Sequence, residues 1–545
     1  NNLLSNLSLR YNLLESLQIK TSLGYSDLKS AENTRFLLNS YNPSRWDQVN
    51  LRSYHSDTRR KSWIIEPQIV YNENLGNLNI NALVGLTLQE NKNSFLNIEG
   101  TGYGDDSLVG NLRAADGVRI NSDEEINYRY AAIFGRLGFD WKKKYYLNIT
   151  GRRDASSRFG PNKRVSDFGA VGTAWIFSEE AFIKNELSFL SFGKLRGSYG
   201  TTGSDQIPDY GFMDTYEATD GPGGLYPTKL YNPNFSWEIN RKLEAAVQLG
   251  FIEDRINLEV NWYRNRSSNQ LTGYPLPAIT GFSSVQANLP ATIENSGWEV
   301  ALNSLNIKAD HFSWQTSLNF TLPTNKLVEF DNLDLTPYRQ TYRVGEPLDI
   351  ALLYKYDGIN PETGRYEIQE INDDGRIDFS DQTGTAFLGR KFYGGIQNTI
   401  KIKNFNLGFL FEYINQKRPS YLVEMFNSPG SYGNNSRQIL NAWTQPGDDT
   451  NIQQLSQSIP SLLSYLNVLD TDMMITDASF LRLKTLSLSY QVPKNLLYPL
   501  GIKELDFYLH GQNLFTVTDY IGLDPQGGQV VPPMGTITSG LRITL

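Results

Sequence analysis

The chain has 545 residues, a formal net charge of −8, no cysteine and three histidines. Without cysteine there are no disulfides, thiolate metal sites or cysteine nucleophile, and both charge signs are mixed throughout, which leaves no nucleic-acid footprint. No apolar run reaches the length of a membrane-spanning helix, and no Pro- or Ser-rich linker divides the chain into domains.

The dominant signal is an apolar residue at every second position over stretches of about 10 residues, the length of a tilted membrane-spanning strand. Leu7, Leu9, Tyr11 and Leu13 alternate with Ser8, Arg10 and Asn12. Leu17, Ile19, Thr21, Leu23 and Tyr25 follow after a tight turn. Leu78, Ile80, Ala82, Val84, Leu86 and Leu88 form one face against Asn79 and Asn81. Tyr145, Leu147 and Ile149 oppose Asn148 and Thr150. Leu243, Ala245, Val247 and Leu249 precede a turn at Glu253–Asp254, and Ile256, Leu258, Val260 and Trp262 come after it. Trp298, Val300 and Leu302 lead through a turn near Ala309–Asp310 to Phe312, Trp314, Thr316 and Leu318. The last runs are Leu505, Phe507, Leu509 and then Ile537, Leu541, Ile543, Leu545. A face holding Lys, Glu, Arg and Asn in mid-strand must meet water, and the apolar face must meet lipid or another sheet.

The connections separate those two cases. Short links near residues 14, 75, 143, 253, 309, 404 and 498, with a longer one at 179–188, alternate with long ones at roughly 28–58, 93–127, 203–235, 269–293, 323–389, 417–476 and 515–534; only the loop near 154–163 departs by being short. Turns sorted by length to the two ends are the mark of an outer-membrane barrel, with periplasmic turns and extracellular loops. Tyr and Trp belts fit the same reading. The fold class expected is all-β: a transmembrane antiparallel β-barrel with about 17 strands visible of about 22. Residues 1–545 then form the C-terminal part of one barrel domain, with about five strands and the true N-terminus upstream of Asn1.

Several segments, in order, resemble the SusC/RagA family of TonB-dependent outer-membrane transporters. Asp477-Ala-Ser-Phe-Leu-Arg-Leu-Lys-Thr-Leu-Ser-Leu-Ser-Tyr-Gln-Val-Pro493, then Gly511-Gln-Asn-Leu-Phe-Thr516 and Tyr520-Ile-Gly-Leu-Asp-Pro525, match its closing strands. Arg152-Arg-Asp-Ala-Ser-Ser-Arg-Phe-Gly160 with Ala174-Trp-Ile-Phe-Ser178 is similar to its mid-barrel hairpin. Leu195-Arg-Gly-Ser-Tyr-Gly200, and Asn295-Ser-Gly-Trp-Glu299 after Gly281-Phe282, fit as well. The resemblance implies an N-terminal plug that contacts TonB and is absent from the sequence shown. It also implies a SusD-like surface lipoprotein as lid, a setting in outer-membrane lipid and lipopolysaccharide, and import of oligosaccharides or peptides. The alternative is a SusC-like barrel that serves as a scaffold subunit of a larger outer-membrane complex without transport.

The most specific local motif is Glu370-Ile-Asn-Asp-Asp-Gly-Arg-Ile-Asp-Phe-Ser-Asp381, which resembles an EF-hand loop. Glu370, Asn372, Asp374, the Arg376 carbonyl, Asp378 and Asp381 fall at its ligand positions and Gly375 at its sharp turn; hard oxygen donors suit Ca²⁺ or Mg²⁺. Glu at position 1 and a short Asp at position 12 depart from the pattern, and a solvated Asn-Asp-Asp-Gly turn accounts for the same residues. Arg152, Arg153, Asp154 and Arg158 read as a charged rim at a strand end, serving lumen ion pairs or plug contact. The loop aromatics Tyr421, Phe426, Tyr432 and Trp443 are candidates for stacking on sugars or packing a long loop. His55, His311 and His510 show no ligand spacing, and Glu179–Glu180 and Asp448–Asp449 read as solvated pairs. No nucleophile elbow, phosphate loop or zinc motif is present, so no catalytic residues and no enzyme are expected.

Overall fold

The computed structural model describes residues 1–218, 223–424, 427–528 and 531–545. Among them the main antiparallel sheet holds 18 strands. Seventeen are long and one is the three-residue strand Ile475–Asp477. No helix among the described residues is long and apolar enough to cross a membrane. The chain divides into two compact units, Asn1–Trp175 with Ser198–Lys242 and Ser267–Leu289, and Ile176–Gly197 with Leu243–Arg266 and Pro290–Leu545.

In the first unit, seven strands follow one another: β1 (Asn2–Asn12), β2 (Leu17–Phe36), β3 (Arg52–Leu75), β4 (Leu78–Thr101), β5 (Gly117–Trp141), β6 (Tyr145–Ser156) and β7 (Val165–Trp175). Each pairs antiparallel with the next. The links at one end are two to four residues long, and two of them turn on left-handed backbone. Gly76 (φ 65°) turns β3 into β4, and Lys142 and Lys143 (φ 56° and 55°) turn β5 into β6.

The pairing register places the alternating apolar residues on one continuous face. Leu86 faces Ile133, Leu88 faces Ala131, Leu137 faces Ile149, and Ile149 faces Val171. Val84, Leu86, Ile133, Leu137, Ile149 and Val171 are 42–56% exposed. So wide a band of bare aliphatic side chains requires lipid. Trp141, Tyr145 and Trp175 bound it at the short turns, with ring centroids 5.4 and 6.4 Å apart, and Tyr25 opposite Trp63 bounds it at the other end.

The long loops are shorter than the sequence pattern suggests, because the strands run past the bilayer. Strands β3, β4 and β5 are 24, 24 and 25 residues long, about twice what a span needs. The links left are 37–51, 102–116 and 276–283 rather than 28–58, 93–127 and 269–293. Beyond Leu88, strand β4 reads Gln-Glu-Asn-Lys-Asn-Ser, polar on both faces. Outside the membrane no lipid selects for alternation, so the period-2 signal stops while the hydrogen-bonded ladder continues.

In the second unit the Ala291–Ala309 part of the strand Ser284–Ala309 pairs with Phe312–Phe330, and the ladder continues in antiparallel order through Arg390–Ile402, Phe405–Pro419, Phe480–Gln491, Glu504–Thr518 and Thr536–Thr544. Its two long connections, 331–389 and 420–479, fold together. Tyr366, Leu422, Ala442, Ile452, Tyr465, Val468 and Met474 make their core. The helix Ile459–Val468 buries Tyr465 and Val468 there; it starts where the Ser458 side chain accepts the Ser461 N–H, with Pro460 in the first turn.

Candidate functional site

Strands β5 and β6 carry the residues of interest on the face opposite the apolar band, because side chains two apart share a face. Tyr128 and Tyr130 come from β5, and Arg152, Asp154 and Ser156 from β6. Arg152 Nε donates to both Asp154 oxygens at 2.8 and 3.0 Å, and its Nη2 donates to the Tyr130 hydroxyl at 2.6 Å. Asp154 is buried. The Tyr128 hydroxyl and the Ser156 hydroxyl both donate to Asp205 Oδ2, at 2.8 and 2.7 Å. Burial, and then the Asp205 carboxylate, push the Tyr128 hydroxyl well above its ordinary range, so it stays a donor. Arg158 lies 4.4 Å over the Tyr128 ring and donates to Asp209 at 2.9 Å.

These groups enclose a cavity of about 390 Å³, lined among others by Tyr128, Tyr130, Arg152, Asp154, Phe168 and Trp237. Trp237 closes it, with its Nε1 donating to the Arg164 carbonyl at 3.1 Å. Aromatic walls with a few fixed charges suit a flexible polar ligand: rings stack on sugar or side-chain faces, and the Arg–Asp pair orients hydrogen-bonding groups.

The four residues read as one rim do not stay together. Arg152, Asp154 and Arg158 sit on this side, whereas Arg153 points the other way and pairs with Asp167 at 2.6 Å. Adjacent strand residues alternate faces, so consecutive arginines cannot share one rim. Asp205, Asp209 and Trp237 belong to the site without any signal in the sequence. They lie at 205–237, where no periodicity marks a residue as inward.

The six candidate metal positions lie in one loop of the second unit. Gly375 N donates to Glu370 Oε1 at 2.6 Å, Asp374 N to Asn372 Oδ1 at 3.2 Å and Arg376 N to Asp374 Oδ1 at 2.9 Å. Asp378 caps the short helix Phe379–Asp381 through the Ser380 N–H at 2.7 Å. Asp381 is fully buried and accepts N–H groups from Ile371, Asn372 and Asp378. Arg339 and Arg343 stack on Phe379 at 6.0 and 5.2 Å. The oxygens are hard donors, but they are turned to backbone N–H groups. Among the described residues no group of three or more His, Cys, Asp or Glu is placed to hold a metal ion.

The N–H groups of Asp378 and Ile371 hold the Asp381 carboxyl below its ordinary range. A depressed carboxyl contributes order above the ordinary carboxylate pKa and loses it as pH falls through the lowered value. Protease nicking of 370–381 is therefore expected to accelerate only under acid. Asp381→Ala should accelerate it about tenfold at neutral pH, because three backbone donors lose their acceptor; unchanged nicking contradicts this.

Of the loop aromatics, Tyr421 packs against the core of the connecting segments and Trp443 lies on Gly364. Tyr432 is 97% exposed, and Phe426 falls outside the described residues. The histidines are scattered: His510 stacks on Tyr508, and His55 lies beside Asn33 and Ser53. Glu179 is tied to Lys184, and Asp448 caps Thr444.

Residues 1–514 match the family described as TonB dependent receptor-like, beta-barrel. The chain belongs to this family of outer-membrane β-barrels. It is 27% identical to TonB-dependent receptor P3 of Formosa agariphila, over 96% of this chain and 54% of that protein. It is 26% identical to TonB-dependent receptor SusC of Bacteroides thetaiotaomicron, over 72% of this chain and 41% of that protein. The chain thus spans about half the length of the curated relatives it matches. The solved RagAB peptide transporter shares the fold, with a TM-score of 0.85 and 24% identity over 99% of this chain and 61% of that one. In the family's terms the apolar band is the lipid-facing wall and the Arg152–Trp237 cavity lies on the inner wall, towards the long extracellular loops.

Proposed function

We propose that the protein to which this chain belongs imports oligosaccharides or peptides across the outer membrane. In this reading TonB drives it through a plug encoded upstream, and a SusD-like lipoprotein covers the long loops. The observation that carries it is the inner-wall cavity, where Tyr128, Tyr130, Phe168 and Trp237 surround the Arg152–Asp154 pair. Its aromatic faces and fixed charges suit a polar oligomer. The likeness to SusC and to a peptide transporter supports the same reading.

The test is uptake of labelled peptides and oligosaccharides by cells with and without the gene, and with and without TonB. Arg152→Gln is expected to weaken cargo binding about tenfold at unchanged surface amount, since a charge-assisted hydrogen-bond donor is lost. Uptake that ignores both the gene and TonB, together with loss of a larger membrane complex on deletion, favours the scaffold reading instead.

Calcium in the 370–381 loop is a proposal of the same kind. Glu370, Asn372, Asp374, the Arg376 carbonyl, Asp378 and Asp381 would hold it after exchanging their N–H partners, and the ion would stiffen the loop. Isothermal titration with Ca²⁺ tests this, and absence of heat on wild type that equals the Asp374→Ala variant overturns it.

A further inference from the structure

A second cavity lies on the opposite, lipid-facing side of the first unit, at the upper edge of the apolar band. Its volume is about 580 Å³. Leu88, Ala131 and Ala155 form its floor, Trp63 a wall, and Arg129, Arg164 and Glu90 its charged lining. Ala131 and Ala155, paired across β5 and β6, bring only short side chains to this face and leave the depression open. Along β5 the outward residues run Leu137, Gly135, Ile133, Ala131, Arg129, so apolar gives way to cationic within one residue step of this face.

The charge around the cavity is arranged for an anion. Arg129 is paired with Glu90 at 2.8 Å yet is 72% exposed. Glu90 also accepts the Trp63 Nε1–H at 2.9 Å. Arg164 is exposed and has no carboxylate within ion-pair distance among the described residues. On the neighbouring rungs of the same face, Lys61 stands directly opposite Lys92, and Lys29 opposite Arg59. Like charges directly opposite each other destabilise a sheet unless something answers them. Asp57, Asp27 and Glu125 answer Lys29, Arg59 and Lys92, and Asp27 also stands opposite Lys61; Arg164 has no such carboxylate partner among the described residues.

We infer that this cavity binds the phosphorylated headgroup of an outer-leaflet lipid. The acyl region would rest on Leu88, Ala131 and Ala155, and the phosphate would lie between Arg129 and Arg164. The order of chemistry along the strands, aliphatic, then aromatic, then cationic, is the order a lipid presents from chain to headgroup. A soluble anion would need the cations but not the apolar floor.

The experiment reconstitutes the full protein in phosphatidylethanolamine nanodiscs doped with lipid A or with dephosphorylated lipid A, and counts bound lipid by native mass spectrometry. Wild type is expected to retain lipid A and not its dephosphorylated form. Arg129→Gln with Arg164→Gln is expected to weaken retention about thirtyfold, from two lost surface cations. Ala131→Leu, which fills the floor and leaves the charges, is expected to weaken it as well, and it carries the test where the double variant fails to assemble into its heat-resistant form. Equal retention of the two lipids by wild type, or full retention by a correctly assembled variant, overturns the inference. Displacement of lipid A by inorganic phosphate at equal concentration also overturns it, in favour of a free-phosphate site.

Discussion

Arg482→Ala is expected to release the last long loop from the inner wall, at a cost of about 3–5 kcal/mol for breaking a buried ion pair. Arg482 sits in the strand Phe480–Gln491 with its side chain 2% exposed, and its partner Asp524 is 6% exposed. Its Nη2 donates to Asp524 at 2.6 Å, its Nη1 to Gln526 at 3.1 Å and its Nε to Thr516 at 2.9 Å. Asp524 in turn accepts the N–H groups of Gln526 and Gly527, both at 2.8 Å. Gln416 and Arg418 of the next strand hold the carbonyls of Pro525 and Gln526 at 2.6 and 3.0 Å. Removing the guanidinium leaves a carboxylate buried without a cation, which is worse than removing both. Protease nicking at 519–528 should therefore be fast in Arg482→Ala and much slower in the double variant Arg482→Met with Asp524→Leu. A single variant as resistant as wild type contradicts this account.

Phe159→Ala should have a comparable effect in the other unit, about 3–5 kcal/mol. Phe159 is fully buried, with its ring 5.1 Å from Trp237 and 6.0 Å from Phe235. Phe168 meets Trp237 edge-on at 5.7 Å, and a Cβ placed on Gly203 would collide with the Phe168 ring. This cluster fixes Trp237, hence one wall of the inner cavity. Truncation is expected to lower the temperature at which the barrel loses its compact gel migration and to abolish cargo binding together. Phe159→Leu keeps most of the volume and should cost about 1.5 kcal/mol or less. Lost binding with unchanged thermal migration would show that Phe159 acts on cargo and not through packing.

The membrane-spanning segments were legible because lipid imposes a rule on each strand separately: every second side chain must be apolar for about 10 residues. That rule marks Leu78 to Leu88 and Tyr145 to Ile149 without knowledge of any neighbour. Strand ends were not legible. From Gln89 to Ser94 the backbone keeps its ladder with polar residues on both faces, so the pattern that announces a strand is absent although the strand is present. The calcium-like loop was legible as a turn, and Gly375 does adopt φ 79°. What its carboxylates face was not, since an Asx turn and a cation site use the same residues in the same order.

The sequence by itself determined the class of the fold, the lipid-facing residues, the ends at which turns and loops lie, and the family through its ordered motifs. These are all properties of residues close along the chain. Only the tertiary structure decided which charges meet. It separated Arg153 from Arg152, brought Asp205 and Trp237 to β5 and β6, joined Arg482 to Asp524, and brought Arg164 and Arg129 to the lining of one cavity. The physical reason is that register fixes faces, but contacts between a strand and a distant loop depend on how that loop folds back, and no local period records that.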